Sequence, residues 1–253
     1  MQVVKSNYTL YQGECLHIMK DFPDNSIDAI ICDLPYGTTE CEWDVIIPFE
    51  PMWEQIKRIR KDTTPILLFG NEPFSSYLRS SNIDEYKYDI YWQKERATNI
   101  FQVSKRPGKV IENICVFYKK QCTYNPQMIT YTGPKRTNKV KNGKLGTLVD
   151  SGKGTPKEYQ DTGKRYPLQI VEFKRDVLTS NLHPTQKPIE LMKYLVRTFT
   201  NEGDTVLDFT MGSGTTGEAC IELQRKFIGI ELKQGYFNIA KNRLGKPRPK
   251  RLF

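Results

Sequence analysis

The sequence predicts an α/β protein built on a largely parallel β-sheet. Short apolar runs that are typical of strands alternate with segments of helical periodicity, which is the pattern of strand–helix–strand units. The chain has 253 residues, 38% hydrophobic and 26% charged, which is enough for one core with an insertion. No apolar run reaches the roughly 18 residues of a membrane span, and residues 1–10 lack the pattern of a secretory signal.

Three regions follow one another along the chain. In residues 1–118 the apolar runs predict strands at 9–11, 27–32, 65–69, 86–92 and 113–118, with an amphipathic helix over 51–61. Residues 119–180 lose this rhythm, and a long aperiodic stretch inside a compact domain usually has its own function. After residue 181 we expect a helix over 189–199, a strand over 205–208, a helix over 216–225, a strand over 227–231 and a helix over 233–244.

Cysteine and histidine usage argues against a metal centre. The six cysteines include no Cys-x-x-Cys pair, and only two histidines accompany them. We therefore predict no metal site and no disulfide framework, and a reducing compartment such as the cytoplasm.

Basic residues are concentrated in two places. Residues 119–175 contain thirteen Lys or Arg and four acids, and residues 241–251 contain six basic residues and no acid, within a net charge of +9. This excess favours a polyanion as partner. Taken alone, a solvated surface and a frayed terminus are the simpler explanation.

A glycine-rich turn follows the strand predicted over 205–208. Gly212, Gly214 and Gly217 fit the spacing G-x-G-x-x-G, in which glycines let the backbone turn tightly and approach a ligand. Glu231 ends the next strand, where a carboxylate can accept hydrogen bonds from ribose hydroxyls. Together these features predict a nucleoside cofactor. A dinucleotide stays open, although Asp208 before the turn suits a positively charged group better than a pyrophosphate.

A second cluster, Asp33-Leu34-Pro35-Tyr36, stands at the end of the strand predicted over 27–32. Pro35 has a fixed φ and can hold the preceding carbonyl in one direction. Asp33 supplies another acceptor, and Tyr36 supplies a stacking face. Two acceptors would fix both hydrogens of an exocyclic amine on a flat base and localise its lone pair toward an electrophile. A common Asp-x-Pro turn is the alternative explanation.

The two clusters resemble the motifs of the DNA amino-methyltransferases that use S-adenosylmethionine. The family's Asp/Asn/Ser-Pro-Pro-Tyr/Phe motif is matched by residues 33–36, with Leu34 where proline is commoner. Its Phe-x-Gly-x-Gly motif is similar to residues 208–214, with a departure in spacing and type at Thr210-Met211, and residues 183–188 are similar to the segment before the cofactor strand. The catalytic motif comes first, as in the beta class. The resemblance covers residues 7–118 and 181–243.

The resemblance implies a Rossmann-like methyltransferase fold whose seven-stranded, mostly parallel sheet is circularly permuted. Residues 1–118 would form the catalytic half, 119–180 an inserted target-recognition segment, and 181–253 the cofactor half with a basic tail. Asp33 and the Leu34 carbonyl, oriented by Pro35, would bind the target amine, and Tyr36 would stack on the flipped base.

The resemblance also implies which residues bind the cofactor, with Glu231 on its ribose. The implied set is Glu14, Cys15, Asp33, Thr185, Gln186, Lys187, Asp208, Phe209, Thr210, Gly212, Gly214, Thr215, Thr216, Glu231 and Leu232. We expect nucleic-acid contacts from Lys135, Arg136, Lys139 and Lys141, and structural roles for His17 and His183.

These features together predict a site-specific DNA adenine methyltransferase that transfers the methyl group of S-adenosylmethionine to the 6-amino group of an extruded adenine. The resemblance implies that aspartate rather than serine at position 33 favours adenine over cytosine. Methylation of cytosine N4 or of RNA adenine stays open, as does a non-catalytic DNA-binding module, against which the intact Asp33 and glycine turn argue. Double-stranded DNA is the expected partner and a membrane is not. A homodimer and a restriction endonuclease partner are left open.

Overall fold

A nine-stranded β-sheet organises the computed structural model, which describes residues 1–37, 45–133, 162–176 and 186–246. The strands are β1 (Gln2–Val4), β2 (Tyr8–Gln12), β3 (Ala29–Asp33), β4 (Ile66–Gly70), β5 (Tyr86–Gln93), β6 (Ile111–Phe117), β7 (Ile129–Thr130), β8 (Lys164–Arg165), β9 (Ile170–Glu172), β10 (Thr205–Asp208) and β11 (Lys226–Glu231). The helices are α1 (Cys15–Met19), α2 (Phe49–Ile59), α3 (Phe74–Ser80), α4 (Ile189–Phe199), α5 (Thr215–Glu222) and α6 (Gln234–Leu244). Among the described residues, β7 and β8 form a separate two-stranded sheet.

All strands of the large sheet except β1 and β6 run in the same direction. Their order is β1-β2-β11-β10-β3-β4-β6-β5-β9, with parallel pairing from β2 through β4. The carboxyl ends of these strands therefore lie along one edge, which is where open α/β sheets bind ligands. Asp33, Asp208 and Glu231 are the last residues of β3, β10 and β11.

Apolar side chains cover both faces of the sheet. Every residue of β4 is buried, as expected for a central strand with helices on both sides. Its alternate residues join different apolar clusters, Leu67 and Phe69 with residues of α4, and Ile66 and Leu68 with residues of α2. Each fully buried Leu or Ile stabilises the fold by about 1.5–3 kcal/mol. The two layers together hold the strand ends in place.

The predicted α/β sheet is confirmed, but it gains two edge strands that the sequence did not indicate. β1 pairs with β2, and β9 pairs in parallel with β5. The aperiodic segment 119–180 contains three short strands, β7, β8 and β9. The strand β9 has three residues with only the middle one buried, which is too short to carry a periodic pattern.

The chain divides into two compact units, residues 1–125 with 168–253, and residues 126–167. Within the smaller unit, β7 and β8 form an antiparallel pair, and the Arg165 guanidinium lies 4.5 Å from the centre of the Tyr131 ring.

The described residues contain no helix that is long and apolar enough to cross a bilayer. No group of three or more His, Cys, Asp or Glu side chains among them is arranged to hold a metal ion.

Candidate active site

A cavity of about 610 Å³ opens at the carboxyl edge of the sheet. The strand order puts β10 between β11 and β3, so the three terminal carboxylates lie side by side along it. The cavity wall includes most of the predicted site: Glu14, Cys15, Asp33, Leu34, Pro35, Tyr36, Gln186, Lys187, Asp208, Phe209, Thr210, Gly212, Thr215, Thr216, Glu231 and Leu232. Gly214 does not line it. Thr185, Lys135, Arg136, Lys139, Lys141 and His183 lie outside the described residues.

The glycine turn between β10 and α5 requires its glycines for two different reasons. Gly212 and Gly214 have φ of +52° and +79°, a left-handed conformation that other residues adopt at a cost. A Cβ on Gly217 would lie 2.6 Å from the Phe227 ring. Gly212 therefore shapes the cavity wall, whereas Gly214 and Gly217 allow the turn and its close packing on β11 and α6.

Asp208 ends β10 as a buried carboxyl that the turn holds on both oxygens. Its Oδ1 accepts a hydrogen bond from the Thr210 backbone N–H (3.2 Å) and its Oδ2 from the Thr216 hydroxyl (2.6 Å). Burial raises the pKa of Asp208 to about 7. The carboxyl is therefore poised to ionise when a positive charge comes close.

Glu231 ends β11 and holds the same turn from the other side. Its Oε2 accepts from the Gly212 N–H at 3.0 Å and its Oε1 from the Lys233 N–H at 2.8 Å. Burial raises its pKa. A carboxylate has about four acceptor positions, so Glu231 keeps acceptor capacity for a hydroxyl donor from the cavity.

The Asp33 side chain is fixed by two donors. The Tyr36 hydroxyl donates to Oδ1 (2.5 Å), and Lys187 Nζ donates to Oδ2 (2.7 Å). The Asp33 carbonyl accepts from the Thr210 hydroxyl at 2.9 Å, which ties β3 to the glycine turn. Burial raises the pKa of Asp33, Lys187 opposes the rise, and the charge of Glu112 adds to it. A raised pKa makes this carboxylate a stronger acceptor.

Glu112, on β6, is the buried partner of this group. Its Oε1 lies 2.7 Å from Lys187 Nζ and its Oε2 lies 2.7 Å from Lys94 Nζ. The Tyr36 hydroxyl also donates to it at 3.3 Å. Burial alone would raise the pKa of Glu112, but the two lysines outweigh burial and hold it at about 2. Two carboxylates and two ammonium groups thus form a balanced set, which we call the Asp33–Glu112 network.

Lys187 joins the two carboxylates of this network. Burial would lower its pKa, but Asp33 and Glu112 raise it to about 12. The lysine therefore stays protonated and bridges β3 to β6, with its Nζ 5.1 Å from the centre of the Phe69 ring.

Three polar residues that hold the site together were not predicted from the sequence: Lys94, Glu112 and Arg243. Arg243, on α6, donates to the hydroxyls of Thr215 (2.9 Å) and Ser213 (3.3 Å), which fastens the glycine turn. The sequence could have indicated Glu112, because a carboxylate directly before the apolar run 113–118 is unusual inside a strand. The other two are ordinary surface residues by pattern.

Two further polar side chains line the cavity with different roles. Glu14 caps α1, accepting from the N–H groups of Leu16 (2.9 Å) and His17 (2.7 Å), so its predicted cofactor contact stays a prediction. Asn71, directly after β4, has a buried Oδ1 for which the described part of the chain supplies no hydrogen-bond donor. A donor from a bound molecule would satisfy it.

The sequence and the structure of this chain are similar to those of several known proteins. A family model described as DNA methylase matches residues 27–242. The chain is 48% identical to the type II methyltransferase M2.LlaDCHI of Lactococcus lactis subsp. cremoris, over 96% of this chain and 91% of that protein. It is 30% identical to the DNA adenine methyltransferase YhdJ of Escherichia coli K12, over 93% and 82%. The crystal structure of an M1.HpyAVI–SAM complex matches with a TM-score of 0.61 at 27% identity, over 94% of this chain and all of that one.

Proposed function

The chain belongs to the DNA methylase family, and we propose that it transfers the methyl group of S-adenosylmethionine to the 6-amino group of adenine in duplex DNA. Methyl transfer to DNA follows from family membership. The choice of adenine, the extrusion of the base and the roles of individual residues are the parts that we propose.

The cavity suits S-adenosylmethionine in size and in chemistry. Its volume of about 610 Å³ is in the range of pockets that enclose molecules of this size. Asp208 would hold the cationic end of the donor, and Glu231 would accept from the ribose hydroxyls. Gly212 leaves the wall of the cavity free of a side chain at the turn. When bound, S-adenosylmethionine supplies an electrophilic methyl group on a positively charged sulfur.

The chain's own residues prepare the amine for attack. Lys187 and the Tyr36 hydroxyl hold the Asp33 carboxylate, which keeps further acceptor positions for the amine hydrogens. Drawing those hydrogens out of the ring plane localises the nitrogen lone pair. Asp33 can also hold the proton that the nitrogen loses on methylation, and its raised pKa favours this.

Adenine is the base that we propose, because position 33 is aspartate rather than serine and the family resemblance links aspartate at this position to adenine. The relative from E. coli is named for adenine, which agrees with this assignment. The amine of a stacked base cannot reach a buried carboxylate, so we propose that the base is extruded from the duplex. Its unstacking cost of a few kcal/mol would be offset by contacts inside the cavity.

The pairing of Asp33 with Tyr36 and Lys187 at the cavity wall carries the proposal. Asp33→Ala should lower methyl transfer by a factor on the order of a hundred or more, because it removes an acceptor that acts in the transition state. S-adenosylmethionine affinity should change much less than the rate, because we assign the Asp33 side chain to the target amine, although the resemblance also includes it in the set around the cofactor. Unmethylated plasmid DNA and tritiated S-adenosylmethionine measure the rate, and calorimetry measures the affinity.

The exposed Asp62, which pairs with Lys119 and Lys120, provides the matched control. Asp62→Ala should leave the rate unchanged. Mass spectrometry of the digested product identifies the methylated base, and N4-methylcytosine would overturn the choice of adenine. Near-normal turnover by a folded Asp33→Ala protein would remove Asp33 from the mechanism.

The cellular location and the protein partners are also proposals. We place the protein in the cytoplasm, where thiols stay reduced, because the five described cysteines are all free and buried. A homodimer and a restriction endonuclease partner stay predictions, which light scattering and a cleavage-protection assay test.

A further inference from the structure

The loop between β5 and β6, residues 94–110, rises from the edge of the sheet that holds the cavity. β5 runs parallel to β4 because both pair antiparallel with β6, so its carboxyl end lies at the Asp33 edge. Lys94 and Thr98, at the base of the loop, line the cavity. A macromolecule that delivers a base to the cavity therefore meets this loop.

The loop is held in one shape by its own hydrogen bonds. Lys94 N–H donates to the Val110 carbonyl (2.8 Å) and Thr98 N–H to the Lys109 carbonyl (3.0 Å). The Asn99 side chain accepts from Lys109 N–H at 2.6 Å and donates to the Pro107 carbonyl at 3.2 Å. These hydrogen bonds hold the tip of the loop in place before a partner binds, which lowers the entropy cost of ordering the loop on binding.

The tip displays apolar side chains to solvent. Phe101 is 95% exposed, and its neighbours Ile100 and Val103 are 59% and 53% exposed. They stand on and beside the short 3-10 helix Ile100–Gln102. An ordered loop that presents an aromatic ring in this way is suited to contact with a partner.

The rest of the loop is basic. Residues 96–110 carry four positive charges, Arg96, Lys105, Arg106 and Lys109, and no acid. Burial and the nearby charges of Lys94 and Arg106 lower the pKa of Lys109, which reflects the positive potential there. The nearest acid in sequence, Glu95, pairs with Arg175 at 3.0 Å and with Arg96 at 3.9 Å, which leaves Lys105, Arg106 and Lys109 as the loop's other positive charges. A partner must therefore combine negative charge with an apolar stacking surface.

We propose that Phe101 inserts into the base stack of duplex DNA beside the target base and supports its extrusion, while Lys105 and Arg106 contact the flanking phosphates. DNA offers both a polyanionic backbone and planar faces. The inference rests on the proposed function, because it assigns the loop to the same substrate.

Phe101→Ala tests the insertion. Loss of one base–aromatic contact corresponds to about 5- to 150-fold weaker binding, so kcat/KM on a matched duplex should fall within that range. The fall should be smaller on a duplex whose target adenine is mispaired, because that base costs less to unstack. Fluorescence of 2-aminopurine at the target position should rise less than with the wild-type protein. The duplex sequence is taken from positions that the wild-type protein methylates in plasmid DNA.

Tyr77→Ala is the matched control, since Tyr77 is an aromatic residue on α3 that is 65% exposed and outside the cavity wall. It should match the wild-type protein in every assay. The melting temperature and S-adenosylmethionine affinity of Phe101→Ala should also be unchanged. If the Ala variant is unstable, the uncharged Phe101→Ser replaces it, with the same expected pattern. Lys105→Gln with Arg106→Gln should lower the log–log salt slope of DNA binding by about 1.8, at about 0.9 per contact.

Failure of this inference is distinct from failure of the proposed function. A wild-type protein that methylates no DNA overturns the function. An active wild-type protein whose Phe101→Ala variant has equal kcat/KM on matched duplex overturns the insertion and assigns the tip to another partner, such as an acidic protein surface. Equal losses on matched and mispaired duplexes likewise overturn the assistance to extrusion.

Discussion

At the scale of single residues, Asp33, the carboxylate that we propose as catalytic, depends on Glu112, a residue far away in the chain. Glu112 touches Lys187, Lys94 and Tyr36. It therefore acts on Asp33 through these side chains and through its charge. We interpret Glu112 as a positioning residue that keeps the pKa of Asp33 raised.

Glu112→Gln tests this role through pH. The charge of Glu112 raises the pKa of Asp33, so its removal should lower that pKa and shift the acid limb of the rate profile to lower pH. Methyl transfer should also fall by about 10- to 150-fold, since a charge-assisted hydrogen bond is worth about 1.5–3 kcal/mol. The kcat profile between pH 4 and 9 measures both effects. A lower rate with an unmoved acid limb would indicate a purely structural role.

At the scale of elements, the turn from β10 to α5 is held by hydrogen bonds to the Asp208 carboxyl, a group that titrates. Asp208 receives hydrogen bonds from Thr210 and Thr216, yet burial keeps its pKa at about 7. In the unfolded chain an aspartate has a pKa of about 3.9. Between these values the folded protein holds a proton that the unfolded chain has lost, so its stability must fall as pH rises.

Asp208→Asn should remove this pH dependence. Relative to the variant, the wild-type free energy of unfolding should decrease by roughly 3 kcal/mol between pH 4 and pH 7, at about 1.36 kcal/mol per pKa unit. Urea unfolding at half-unit pH steps measures the difference. Saturating S-adenosylmethionine should reduce it, because a cation beside Asp208 favours the ionised form. Parallel pH curves for the two proteins would mean that Asp208 is ionised in the folded state throughout.

The sequence predicted elements better than their contacts. The helix 189–199 and the strand 205–208 have the bounds that their periodicity indicates, because local apolar patterns determine both. The Asp33–Glu112 network could not be read in this way, since Lys187 and Asp33 are 154 positions apart and meet only through the sheet order. β9 was missed because three residues carry no period. The predicted family, fold and methyl donor are confirmed.

At the scale of the whole molecule, affinity for DNA should come from several basic segments. Lys135, Arg136, Lys139 and Lys141 lie outside the described residues, and their contact with DNA stays a prediction. Sequence readout by the segment around them also stays a prediction. The charge excess of residues 119–175 is its motivation.

Replacing these four residues by glutamine should weaken DNA binding and flatten its salt dependence. Each lost phosphate contact lowers the log–log slope by about 0.9, and S-adenosylmethionine affinity should not change. Anisotropy titrations between 50 and 300 mM salt, roughly the range in which phosphate contacts respond, give the slope. Replacement of the exposed Lys20, Lys57, Lys87 and Lys226 is the control for net charge. If both fourfold variants lose equal slope, the segment has no specific role.

The small unit, residues 126–167, begins and ends at fixed points of the main unit. Asn125 donates to the Thr198 carbonyl (2.7 Å) just before it, and Gln169 just after it receives the Tyr91 N–H at 2.8 Å and donates to the Asp89 carbonyl at 3.1 Å. Each doubling of a loop between fixed ends costs only about 0.6 kcal/mol. We therefore expect the chain to tolerate a longer, shorter or grafted segment at these two junctions while the large sheet keeps its structure.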